Sequence, residues 1–247
     1  MFKRLLKVLA VGILVLLAVL IAFFVIWTQF DYKPSQEVEN LGVSKQAIPK
    51  GGYLLFQPSD NSDIKGGYII YQGAKVDAMA YGYYAQEVAK QGYLVGVVDA
   101  PFNVSFFSSN KVKEIMKEYP TIDNWFIGGH SLGGVVASSY AYNHQSRIQG
   151  LILLASYPMN KNDFSNTNYP ILSLTGERDG LSTPNKISET KHLLSRNAKI
   201  VELKGANHAQ FGLYGEQKRD NEATISPQEQ QTQMVQHTVQ WLNEQIK

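Results

Sequence analysis

At 247 residues the chain is long enough for one sizeable core, and domain-size statistics favour a single folded domain plus a tail. With 44% hydrophobic and 18% charged residues it is neither disordered, nor collagen-like, nor a polytopic membrane protein, and the lack of cysteine excludes a disulfide framework, a thiol nucleophile and Cys-based zinc or iron–sulfur sites. Of the formal charge of +2, Lys3, Arg4 and Lys7 supply three positive charges, leaving −1 for the rest, which is no balance for binding nucleic acid.

From Val8 to Trp27 the chain runs uncharged and almost wholly apolar for 20 residues, enough helix to span the roughly 30 Å hydrocarbon core of a bilayer. A cleaved signal peptide would have a shorter apolar stretch and a small-x-small site, whereas this one ends in Phe23, Phe24, Val25, Ile26 and Trp27. Residues 1–27 therefore read as a basic cytoplasmic end and an uncleaved transmembrane anchor. The positive-inside rule sends everything after Trp27 outward, giving a single-pass protein of the cell membrane with an extracytoplasmic domain. Residues 28–50 are polar, contain Pro34 and Pro49, show no periodicity and read as a linker.

From residue 51 to 247, short apolar runs alternate with helical patterns, the signature of βαβ units and a mainly parallel sheet flanked by helices. The expected strands are 53–56, 68–71, 93–98, 125–127, 151–154, 171–175 and 199–203. Helices are expected after Asp77, over 111–118, 132–143 and 184–195, and from Pro227 onward. Thr183 before Pro184, and Ser226 with Glu229 around Pro227, carry N-capping chemistry.

The run Trp125-Phe126-Ile127-Gly128-Gly129-His130-Ser131-Leu132-Gly133-Gly134 places G-x-S-x-G between a strand and a helix. Glycines two positions either side of a serine allow the strained strand-to-helix turn that exposes a nucleophilic hydroxyl, so Ser131 is the expected nucleophile. A serine needs a base, which in this arrangement follows it in the chain. Of five histidines, His130 adjoins the nucleophile and is expected to point away from it. His144 precedes a loop, and His192 and His237 sit in helical patterns. His208, just after the 199–203 strand, is left as the base. The acid that orients it is expected between the two, at Asp179, with Glu177 as the alternative. The backbone N–H of Leu132 is one expected oxyanion donor. The other comes from the turn Gln72-Gly73-Ala74-Lys75, with Ala74 placed to donate and Lys75 the alternative. Asp99, ending the 93–98 run, is expected to shape the pocket or cap its loop.

The chain resembles small bacterial α/β-hydrolases with an N-terminal membrane segment, sometimes called the fold-5 group and distantly similar to dienelactone hydrolases. The resemblance runs from about residue 50 to the end and rests on residues 71–77, 129–133, 176–180, 207–212 and 223–226. It implies an α/β-hydrolase fold, a triad at Ser131, Asp179 and His208, and no cofactor. Dienelactone hydrolases have a cysteine where this chain has Ser131, so their substrate does not carry over.

The expected function is a serine hydrolase acting on a small-molecule carboxylic ester through an acyl-enzyme, with the membrane as its other partner. The same machinery also serves acyltransferases and peptidases, and the fold also serves non-catalytic surface-binding modules. Between Ser156 and Tyr169 the chain is short, polar and Asn-rich, too little for an amphipathic lid. An open site is expected, walled by Phe102 to Phe107 and Tyr157, with residues 211–223 as the nearest flexible cover. That arrangement predicts short-chain, water-soluble esters.

Overall fold

A computed structural model describes residues 2–58 and 64–246, which divide into two units at Asp31/Tyr32. The first unit is essentially one helix, α1 (Phe2–Thr28). Thr28 Oγ1 closes its last turn on the Val25 carbonyl at 2.8 Å. Among the described residues it is the one helix long and apolar enough to cross a membrane.

The second unit is a three-layer α/β fold around an eight-stranded sheet. In chain order its elements are α2 (Gln36–Asn40), β1 (Ile48–Lys50), β2 (Tyr53–Phe56), β3 (Gly66–Tyr71), α3 (Gly82–Ala89), β4 (Tyr93–Val98) and α4 (Lys111–Glu118), followed by β5 (Trp125–His130), α5 (Leu132–Asn143), β6 (Gly150–Leu154), β7 (Ile171–Gly176), α6 (Pro184–Thr190), β8 (Lys199–Leu203) and α7 (Pro227–Gln245). The strand order is β1-β2-β4-β3-β5-β6-β7-β8, with β2 paired antiparallel to both β1 and β4 and every other pair parallel.

The strands β2 to β7 are buried along their whole length because both faces are covered. Alternation within each strand sorts the side chains into two cores. Tyr68, Ile70, Val95, Val97 and Phe126 meet Tyr84, Ala85 and Val88 of α3 and Met234, Trp241 and Leu242 of α7. On the opposite face Ile69, Tyr71, Leu94 and Ile127 meet Val112 and Ile115 of α4 and Val136, Ala137 and Tyr140 of α5. Helix caps follow the sequence pattern: Thr183 Oγ1 accepts from Lys186 N–H, and Ser226 Oγ from Glu229 N–H.

The reading of 28–50 as a linker is corrected from Tyr32 onward. Tyr32 N–H donates to the Lys75 carbonyl, Asp77 N–H donates to the Tyr32 carbonyl, and Ser35 N–H donates to the Leu213 carbonyl. Val38 and Val43 are fully buried in the α3/α7-side core, and β1 pairs with β2 in the register Ile48 to Leu55. Two isolated valines and a three-residue strand have no period for a sequence to display, and tertiary contact alone recruits them.

Candidate active site

Parallel strands deliver their C-terminal loops to one edge of the sheet, and those of β3, β5, β7 and β8 carry the candidate residues. Ser131 follows β5 directly, with φ 51° and ψ −119°, a left-handed conformation that a side-chain-bearing residue adopts only under constraint. Ser131 N–H donates to the Leu154 carbonyl at 3.0 Å, and Ser156 Oγ donates to the Ser131 carbonyl at 2.7 Å. The elbow closes only because its flanking positions lack side chains. A Cβ on Gly129 would lie 2.4 Å from the Gly133 carbonyl carbon, and one on Gly133 would lie 2.2 Å from the Tyr71 carbonyl oxygen. Leu132 opens α5, and its N–H, like that of Ala74, has no acceptor among the described residues. Lys75, the alternative donor in the β3 turn, is spent: its N–H donates to the Asn103 carbonyl at 2.7 Å. Gln72, fully buried, braces this turn by donating to the Val76 carbonyl and Asn103 Oδ1 and accepting from Ala100 N–H.

Asp179 and His208 meet. Asp179 Oδ2 lies 2.8 Å from His208 Nδ1, and both side chains are buried. Asp179 Oδ1 accepts from Leu181 N–H at 2.8 Å and Ser182 N–H at 2.6 Å, so every bond the carboxylate makes fixes its orientation. With Nδ1 facing a carboxylate, that nitrogen carries the proton and Nε2 is the basic one. Glu177, the alternative acid, turns elsewhere. It accepts from Gly205 N–H and pairs with Lys204, which together hold its carboxyl below the usual glutamate range. Ser131 Oγ and His208 make no hydrogen bond to each other, a separation common in uncomplexed catalytic sites. His144 and His192 bond local carbonyls through Nδ1.

Two features here had no strong sequence signal. Asp220 bridges the loops of Asp179 and His208: Oδ1 accepts from Gly180 N–H at 2.9 Å and Oδ2 from Ala209 N–H at 2.8 Å. Each donor is the residue directly after Asp179 or His208. The 211–223 segment, expected as a flexible cover, is correspondingly fastened. Leu213 N–H donates to the Ala80 carbonyl, Arg178 Nε donates to the Glu222 carbonyl, and Phe211 and Leu213 are buried. Gln230 of α7 adds a two-sided clamp on Asn207, beside His208.

The second feature is His130. Its ring is buried 4.5 Å from that of His208, stacks on Phe211, and bonds Tyr81 Oη through Nδ1 at 2.9 Å. Burial, and then the neighbouring His208, hold its pKa well below the ordinary histidine value, so it stays neutral. No helix or strand lies between Leu154 and Ile171, and Phe164 anchors that loop in the core.

The profile of the alpha/beta hydrolase family matches residues 67–232, more than half of the chain. The protein belongs to the alpha/beta hydrolase family. A search of curated protein sequences finds no match. Solved structures share the hydrolase fold. One is Est1E from Butyrivibrio proteoclasticus with ferulic acid bound, at 14% identity, covering 81% of this chain and 98% of that one with a TM-score of 0.59. Another is a predicted CIB-like hydrolase from Thermoplasma acidophilum, at 15% identity, 78% and 96% coverage and a TM-score of 0.58. A third is MGS-MChE2, an alpha/beta hydrolase enzyme from the metagenome of lagoon sediments at Mar Chica, Morocco, at 15% identity, 80% and 98% coverage and a TM-score of 0.57.

Proposed function

We propose that this hydrolase cleaves carboxylic esters through an acyl-enzyme on Ser131. The observation that carries the reading is the Asp179–His208 pair, whose carboxylate is locked by two further N–H donors on the same sheet edge as the elbow serine. His208 Nε2 takes the Ser131 proton as Oγ attacks the ester carbonyl, then returns it to the departing alcohol. Asp179 keeps the imidazole in the required tautomer and stabilises the imidazolium. The N–H groups of Leu132 and Ala74 receive the oxyanion. Water then repeats the sequence on the acyl-enzyme, and no cofactor enters.

The half-exposed Phe102, Phe106 and Phe107 and the part-buried Tyr157 offer apolar surface for a short acyl group, and the loop between β6 and β7 holds no helix or strand to serve as a lid. Each buried methylene adds about 0.8 kcal/mol, so efficiency should stop rising within a few carbons along a p-nitrophenyl ester series. A continued rise to long chains, or a jump in rate above the critical micelle concentration, would overturn that substrate class. The decisive test of the chemistry is fluorophosphonate labelling: the folded protein should react at Ser131, and the Ser131→Ala variant should not.

In the same reading α1 anchors the enzyme, with the basic residues Lys3, Arg4 and Lys7 inside and the catalytic unit extracytoplasmic. Protease added to spheroplasts should then digest the catalytic unit, which should otherwise pellet with membranes. A soluble mature protein starting near Thr28 would refute the anchor.

A further inference from the structure

The turn proposed to bind the oxyanion contains Gly73, the most conformationally free residue type, directly before the proposed donor Ala74. Something must fix its peptide planes, since a donor contributes only when preorganised. Gly73 N–H donates to Tyr81 Oη at 2.9 Å, and Tyr81 is fully buried. The same hydroxyl lies 2.9 Å from His130 Nδ1. The approach leaves no room for a side chain, because a Cβ on Gly73 would stand 2.8 Å from His130 Nδ1 and 3.0 Å from Tyr81 Oη.

Counting protons fixes the direction of the chain of bonds. Tyr81 Oη accepts from Gly73, and its own hydrogen has one acceptor within reach, His130 Nδ1. Were Nδ1 to donate instead, both the Tyr81 hydrogen and the His130 Nε2 lone pair would be buried without a partner. With Tyr81 donating, Nε2–H alone is left over, and His130 Nε2 is a buried atom with no hydrogen-bond partner. The ring is held by its bond to Tyr81 Oη and its stack on Phe211, with the backbone of His208 acting on it as well.

We propose that Tyr81 and His130 are positioning residues for the oxyanion turn. His130 Nδ1 aims the Tyr81 hydroxyl, the hydroxyl holds Gly73 N–H, and Ala74 N–H is thereby fixed relative to the elbow. His130 is the residue before Ser131 and its ring lies against His208, so one side chain references the oxyanion turn to both the nucleophile and the base. The inference rests on the proposed ester chemistry of Ser131 and adds a supporting pair to it.

The test uses the full chain in detergent, with p-nitrophenyl acetate and its thionoacetate analogue. A sulfur is larger and a poorer acceptor than oxygen, so a rigid oxyanion site discriminates against the thionoester and a loosened one discriminates less. Tyr81→Phe should lower kcat on the ester roughly ten- to a hundredfold with KM changed less than about threefold, and should reduce the ester-to-thionoester ratio. His130→Asn, whose amide oxygen can stand in for Nδ1 as acceptor, should retain more of kcat than His130→Leu, and these two decide the matter if Tyr81→Phe fails to fold. Wild-type kcat in Tyr81→Phe, or equal losses on both substrates, would overturn the positioning role. Ser131→Ala, run alongside, should be inactive. If it were active, the nucleophile assignment would fail and take this inference with it, whereas an inactive Ser131→Ala beside a wild-type Tyr81→Phe would sink the inference alone.

Discussion

Around Ser131 the backbone sets the geometry, whereas around His208 side chains do. At the elbow, glycines at 129 and 133 let strand and helix touch main chain to main chain, and the conformation of Ser131 follows from that contact. On the loops of Asp179 and His208, main-chain N–H groups converge on two carboxylates, Asp179 and Asp220, with Gln230 behind them. The first half can be lost by adding one carbon atom. The second degrades in steps, since each acceptor removed frees only its own donors.

Ser131→Ala and His208→Ala should each remove nearly all turnover, and the double variant should lose little more, because nucleophile and base act as a unit. Near-additive losses in kcat would show that the two halves do not work together. Asp179→Asn should fold normally, since an amide oxygen can still accept at the Oδ1 position, while kcat falls by up to about four orders of magnitude through the wrong histidine tautomer. Glu177→Gln is the control and should leave kcat near wild type; the reverse outcome would exchange the two roles.

A smaller effect is expected where a carboxylate acts at one remove. Asp220→Ala frees the Gly180 and Ala209 donors and should cost about 1–3 kcal/mol of stability, with Tm lowered by roughly 2–4 °C per kcal/mol. Turnover should fall with KM little altered, and an unchanged kcat would make the bridge purely structural. The smallest effect is the pH response of His130. Its pKa is depressed in the folded chain, so below its ordinary value of 6.5 the unfolded chain takes up a proton that the folded chain refuses. Stability should therefore be fully present above about pH 6.5 and decline as pH falls below it. In His130→Leu the slope of Tm against pH between 7 and 5 should be shallower; an identical slope would mean that His130 does not titrate on unfolding.

What the sequence made legible follows the same division. The strands, the positive-φ turn at Ser131 and the candidate pair Asp179 and His208 on neighbouring loops are written in local patterns, because period, glycine spacing and turn chemistry act over a few residues. Asp220 was missed because its donors lie 40 and 11 positions away, and nothing in the charged run 218–222 marks one member as an acceptor. Tyr81 and His130 are 49 positions apart, and a histidine beside a nucleophile carries no sign of the direction in which its ring turns. Residues 32–50 failed for a related reason: Val38 and Val43 are two apolar positions without a repeat, and β1 is three residues long.

That short strand governs how the molecule behaves in company. β2 is buried along all four residues, Tyr53 to Phe56, and its outer side is closed by β1. β1 is itself exposed, holds a proline opposite Leu54 and ends in Lys50, so it presents an interrupted, charged rim to which another chain cannot readily add a strand. A soluble form cut at residue 51 would strip that rim away and leave Tyr-Leu-Leu-Phe as a bare sheet margin, a template for self-association in concentrated solution. Cut at Tyr32, the same enzyme would carry its own guard against fibres.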